Sequence, residues 1–133
     1  MAATGSSTRA RPLSPHLSIW RWGPAMAVSI LHRVTGNGLA VVGIATLLCW
    51  LGCLAAGPES YALFLAQAGK WYGQVVLVGL SWAFLNHAAS GIRHFLLDIG
   101  AGYELVANAR WSVLVPLIAI LATAAFWAVI YLR

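Results

Sequence analysis

The sequence predicts an all-α membrane protein with three transmembrane helices, and three observations carry that reading. The 133 residues are 61% hydrophobic and only 8% charged, at a mean hydropathy of +0.81, whereas a soluble domain carries about 25% charged residues. Eight Lys and Arg and three Asp and Glu are too few to cover a water-facing surface, which excludes a soluble enzyme, a disordered tail and a disulfide scaffold. Next, residues 34–58, 71–92 and 111–132 contain no Asp, Glu, Lys or Arg over 25, 22 and 22 positions. Each stretch is long enough to cross a hydrocarbon core of ~30 Å at ~1.5 Å per residue. Finally, backbone groups in lipid must be satisfied within their own segment, so such stretches form helices, not strands. The net charge of +5 does not indicate nucleic acid, because the basic residues are scattered singly and form no patch.

Taken in order, residues 1–23 read as a cytoplasmic tail. Its first 15 residues hold Ser, Thr and Arg without an acid; they have no apolar signal-peptide core, and a vestigial transit peptide is the alternative. Residues 24–133 form the three-helix domain, with spans near 26–57, 66–97 and 108–132. Pro24 suits a first helical turn, so the first helix starts ahead of its charge-free run. Gly57-Pro58 closes it by removing a backbone donor. Residues 60–70 are mostly apolar and form a short interfacial helix leading into the second span; residues 100–109 make the second connection. Pro116 falls in the first turns of the third span, where it is tolerated or kinks the helix. Cys49 and Cys53 lie one turn apart within an apolar run and read as packing residues, not a disulfide or metal site.

Lys and Arg placement sets the orientation. Arg9, Arg11, Arg21 and Arg33 precede the first span, and Arg93 and Arg110 flank the second connection; only Lys70 and Arg133 lie on the other side. The N-terminus and second connection therefore face the cytoplasm, or a mitochondrial matrix, and the C-terminus faces out.

Ionisable groups at membrane depth cost about 2.5–3.5 kcal/mol each on insertion scales and mark candidate sites. His87 lies six residues before Arg93, hence ~9 Å below the inner surface, with Ala83 and Gly91 one turn away on its face. Small residues let a helix or a flat ligand approach closely. Two readings stand: a histidine hydrogen-bonded to a neighbouring helix, or an axial ligand to haem iron. No second histidine lies at that depth in the other spans, so a second axial ligand must come from another subunit, or the site is five-coordinate. Ser29 and Arg33 share a face at i, i+4. They either flank the helix and snorkel or hydrogen-bond a quinone carbonyl and stabilise the anion formed on reduction. The adjacent His32 can supply a proton near neutral pH. Arg93 and His94 end the second span. His94 is two turns after His87 on roughly the same face, and Asp98, one turn on, is placed to pair with it. This basic cluster either serves the positive-inside rule or suits anionic haem propionates. The outer half has little buried polar chemistry.

These residues carry a resemblance. R-P-L-S-P-H-L-S-I-W-R-W (Arg11 to Trp22), M-A-V-S-I-L-H-R-V-T-G (Met26 to Gly36) and H-A-A-S-G-I-R-H-F-L-L-D (His87 to Asp98) are similar to the cytochrome b large anchor subunits of succinate dehydrogenase, respiratory complex II. The patterns S-I-x-H-R-x-T-G and H-x-x-x-G-I-R-H-x-x-x-D occur in order on the first and second spans. The resemblance implies a heteromeric helix bundle in a bacterial inner membrane, or a mitochondrial one. Its partners are a flavoprotein that oxidises succinate, an iron–sulfur protein that passes electrons one at a time to ubiquinone, and a small anchor subunit. Residue by residue, His87 matches the axial ligand of haem b, with the other axial histidine given by the small anchor. Ser29 and Arg33 match the ubiquinone site, and His32, Arg33 and His94 the haem propionate region. Trp20 and Asn86 stand where members often have Tyr. The competing readings are a haem-free anchor of a fumarate reductase-like complex and a small proton or solute transporter subunit with His87 as relay.

Overall fold

The computed structural model describes residues 20–133; most of the expected tail, and the first part of the Arg11 to Trp22 motif, lie outside the described residues. Helix α1 runs over Pro24–Ala56. Pro24 sits at its start, where a missing N–H costs nothing because no partner exists there. The helix widens into a π-helical turn at Leu39–Gly43, a local form that often marks functional regions. It ends at Gly57, whose φ of 113° is open to glycine and strained for other residues. Pro58 then starts α2, Pro58–Ala68, with Glu59 in the first turn, where an acid complements the helix dipole. Helix α3 is Trp71–Asp98 and α4 is Leu105–Tyr131. Gly100 and Gly102, with φ of 86° and 82°, turn the chain between them.

Three of these helices, α1, α3 and α4, are long and apolar enough to cross a membrane. One boundary differs from expectation: the second spanning helix starts at Trp71 and not near residue 66. Gly69 and Lys70 break the path, and the chain doubles back tightly. A Cβ on Gly73 would stand 2.6 Å from the Ala68 carbonyl oxygen, so only glycine fits. The Gln74 side-chain amide donates to that same oxygen at 2.9 Å, and the Tyr131 hydroxyl donates to Gln74 Oε1 at 2.7 Å, tying α4 to α3.

Each of the three long helices packs against the other two. Their shared interior is small and mostly polar. Val28, Val115 and Ala119 are its buried apolar members, beside Thr35, Asn86, Ser90, Arg93, Ser112 and Thr123. This inverts a soluble core and follows from the solvent. Lipid gives no drive to hide leucines, whereas small and hydroxyl-bearing residues let helices approach and bond. The large apolar side chains point outward; Val41, Leu48, Phe84, Leu121 and Phe126 are all exposed. A groove of about 610 Å³ lies between α1, α2 and the start of α3 and is lined by Cys49 and Cys53 among apolar residues. Both cysteines are free.

Candidate functional site

The polar chemistry gathers at the end of the bundle where α1 starts and α3 finishes. On α1 the i, i+4 spacing puts Ser29 and Arg33 on one face, with Ser29 half-buried and Arg33 exposed. His32 points toward α3. Its ring stacks on that of His87, with centroids 3.9 Å apart and planes within 7°. His94 lies 5.1 Å from His32, tilted by 56°. The structure therefore brings His32, His87 and His94 together, two on one face of α3 and one on α1.

The His87 ring is fixed by a hydrogen bond to the neighbouring helix α1, the contact that one of the two sequence readings expects. Its Nδ1 lies 3.1 Å from the His32 backbone oxygen. A carbonyl oxygen can only accept, so Nδ1 is the donor, which leaves Nε2 as the nitrogen able to offer a lone pair. The Thr35 hydroxyl donates to the carbonyls of Leu31 and His32 at 2.9 and 3.0 Å. His32 Nδ1 is buried without a partner.

Arg93 behaves differently from the expectation that groups it with His94. Adjacent residues on a helix point about 100° apart, and here the two turn to different helices. Arg93 lies on the Asn86 and Ser90 face, is buried, and turns to α4. There its guanidinium donates to Asn108 Oδ1, and to Ser112 Oγ at 3.2 Å. Asp98 does not pair with His94 either: it is exposed at the end of α3, while His94 leans toward His32. Sequence reasoning gave Thr35 and Gly36 no role beyond their place in the S-I-x-H-R-x-T-G pattern, and passed over Asn108 and Ser112. The last two had a signal, an i, i+4 polar pair at the start of an apolar span. Among the described residues no group of three or more His, Cys, Asp or Glu is placed to hold a bare metal ion.

The donor set fits one axial position of a haem. His87 offers a lone pair on Nε2 while its other nitrogen is anchored to a carbonyl, the usual arrangement of a metal-bound histidine. His32 and His87 lie face to face, and parallel stacked rings cannot address one iron from opposite sides. The pair therefore supplies at most one axial ligand.

Comparison with known proteins agrees with this architecture. A family model described as succinate dehydrogenase/fumarate reductase transmembrane subunit matches residues 7–126. The succinate dehydrogenase cytochrome b556 subunit of Paracoccus denitrificans is 38% identical over 95 residues, 71% of this chain and 72% of that protein. The protein of the same description from Rickettsia felis is 35% identical over 117 residues, 88% and 90% of the two chains. The mitochondrial succinate dehydrogenase cytochrome b560 subunit of Mus musculus is 35% identical over 119 residues, 85% and 68%. With three spanning helices and a match over most of its length, the chain belongs to the succinate dehydrogenase/fumarate reductase transmembrane-subunit family.

Proposed function

We propose that the chain is a membrane-anchor subunit of a succinate:ubiquinone oxidoreductase, holding haem b through His87 and contributing Ser29 and Arg33 to the quinone-reduction site. The observation that carries this is the clustering of His32, His87 and His94 beside the Ser29–Arg33 face at one end of the bundle. A hydroxyl and a guanidinium on adjacent turns donate hydrogen bonds to a quinone carbonyl. The guanidinium also stabilises the negative charge that grows on that oxygen as electrons arrive. His32, one residue before Arg33, is within reach of the same end as a proton carrier. Arg33, His32 and His94 present basic and hydrogen-bonding groups to anionic propionates, and Nε2 of His87 is the nitrogen that would meet the iron. The chemistry haem b supplies when bound is one-electron storage beside the quinone.

The names of the relatives support the cofactor, since both bacterial relatives are b556 subunits and the mouse relative is a b560 subunit. They also support assembly into a multisubunit succinate dehydrogenase; the partners proposed there are a flavoprotein, an iron–sulfur protein from which electrons arrive, and a small anchor that gives the second axial histidine. The outward-facing apolar residues of all three spanning helices suit both lipid and such a helical partner. The bias of basic residues supports an N-terminus on the cytoplasmic side of a bacterial inner membrane, or on the matrix side of a mitochondrial one. The test is the absorption spectrum of the purified complex. Dithionite reduction gives a b-type band in the wild type and none in His87→Ala, while succinate oxidation by an artificial acceptor continues. A colourless wild-type complex with full quinone reductase activity overturns the haem assignment.

A further inference from the structure

We infer that Gly36 is a positioning residue for His87: the missing side chain at this one point of α1 is what lets the His87 imidazole sit with Nδ1 on the His32 carbonyl and Nε2 free. The inference rests on the reading of His87 as haem ligand and adds to it the part of α1 that sets the ligand's orientation.

Gly36 follows His32 by one helical turn and so faces the same neighbour. A Cβ built there would lie 2.7 Å from Cε1 of His87, 3.2 Å from Nδ1 and 3.7 Å from Nε2. Non-bonded carbons make their best contact at about 3.5–4.0 Å, so even a methyl group forces the ring to move. The ring has little freedom to do so in place. The stacked His32 ring holds one side at 3.9 Å, and the bond to the His32 oxygen holds the edge at 3.1 Å. Buried Thr35 grips the same carbonyl at 3.0 Å, which fixes the acceptor itself. Moving the ring away from an added methyl therefore breaks the Nδ1 bond.

Other glycines on this helix are not used in this way. A Cβ at Gly38 or Gly52 would meet nothing within 4 Å, and at Gly43 only ordinary contacts of 3.6 Å and beyond. Glycine is a poor helix former, so its presence in a close helix–helix contact is accounted for by the approach it permits. The consequence is electronic as well as steric. A hydrogen bond from the distal imidazole nitrogen raises the basicity of the ligating one, and a more basic imidazole favours the ferric state. Loss of that bond shifts the haem midpoint potential upward.

The test uses the intact multisubunit complex in its membrane or in detergent, with Gly36→Ala, Gly38→Ala, His87→Ala and the double variant Gly36→Ala/His87→Ala. Haem per complex, the redox midpoint and the yield of assembled complex are measured. Gly38→Ala keeps the wild-type haem content and potential. Gly36→Ala either retains haem at a raised midpoint or assembles with haem lost; full haem at an unchanged or lowered midpoint overturns the inference. Should Gly36→Ala fail to assemble, the double variant decides: assembly restored by removing the ring places the clash at His87, and continued failure overturns the claim. If His87→Ala keeps its haem, the ligand reading itself falls. If His87→Ala loses haem while Gly36→Ala behaves as wild type, only the positioning role falls.

Discussion

Asn108→Leu should destabilise the protein more than Arg93→Met, although Arg93 is the charged partner and makes more hydrogen bonds. Arg93 is 8% exposed, and no carboxylate on the described part of this chain neutralises it. Its guanidinium is held by Asn108 Oδ1 and Ser112 Oγ. Removing Asn108 Oδ1 strands part of a buried cation, and a hydrogen bond to a charged group is worth about 1.5–3 kcal/mol. Removing the cation with an apolar side chain of similar length leaves neutral groups behind. Ser112 Oγ still donates to the Asn108 carbonyl at 2.6 Å, and such replacements of buried charge are often close to neutral. Asn108→Leu should therefore shift the folding equilibrium by roughly 10- to 150-fold, and Arg93→Met by less than about tenfold. The assay is denaturation of the assembled complex by graded SDS in mixed micelles, with the double variant closing the cycle. A larger loss in Arg93→Met than in Asn108→Leu refutes the reasoning and means that the Arg93 charge is engaged outside this clamp.

Three further outcomes follow from the same structure. Arg33→Ala should impair quinone reduction more than succinate oxidation with an artificial acceptor, because Arg33 acts after the flavin and iron–sulfur steps; equal loss in both assays signals failed assembly instead. Gly57→Ala places a side chain at φ 113° and ψ 179°, a region that is essentially glycine-only, and should cost on the order of 1–3 kcal/mol in the same denaturation assay. Ala119, 1% exposed between the spanning helices, leaves no room for a larger group; Ala119→Leu should cost about 1–3 kcal/mol through overpacking, whereas exposed Ile120→Leu should leave the midpoint unchanged.

The spans were legible because charge is too expensive inside lipid to be placed at random, so its absence over residues 34–58, 71–92 and 111–132 marks the helices. Glycine and proline at 57 and 58 gave the first boundary for the same local reasons the structure shows. The second span was placed from near residue 66 because the short helix expected over residues 60–70 was read as leading straight into it. The break depends on a close return through Gly73 that composition does not reveal. Ser29 with Arg33, and His87 with His94, fell on common faces because helical spacing is fixed. Arg93 and His94 were grouped as one basic cluster because both end the second span, but the structure turns Arg93 toward α4 and His94 toward His32. The π-turn at Leu39–Gly43 and the seat of His87 against Gly36 were beyond sequence reasoning, since one is a shift in hydrogen-bond register and the other needs the position of a second helix.

Three histidines stand within one cluster, so the most direct test of the account is the haem content of the purified complex in His32→Ala, His87→Ala and His94→Ala, measured per flavin. The account predicts that His87→Ala alone abolishes bound haem, and that His32→Ala and His94→Ala retain it with altered potential. Retention of full haem in His87→Ala, or its loss in His94→Ala alone, would contradict it.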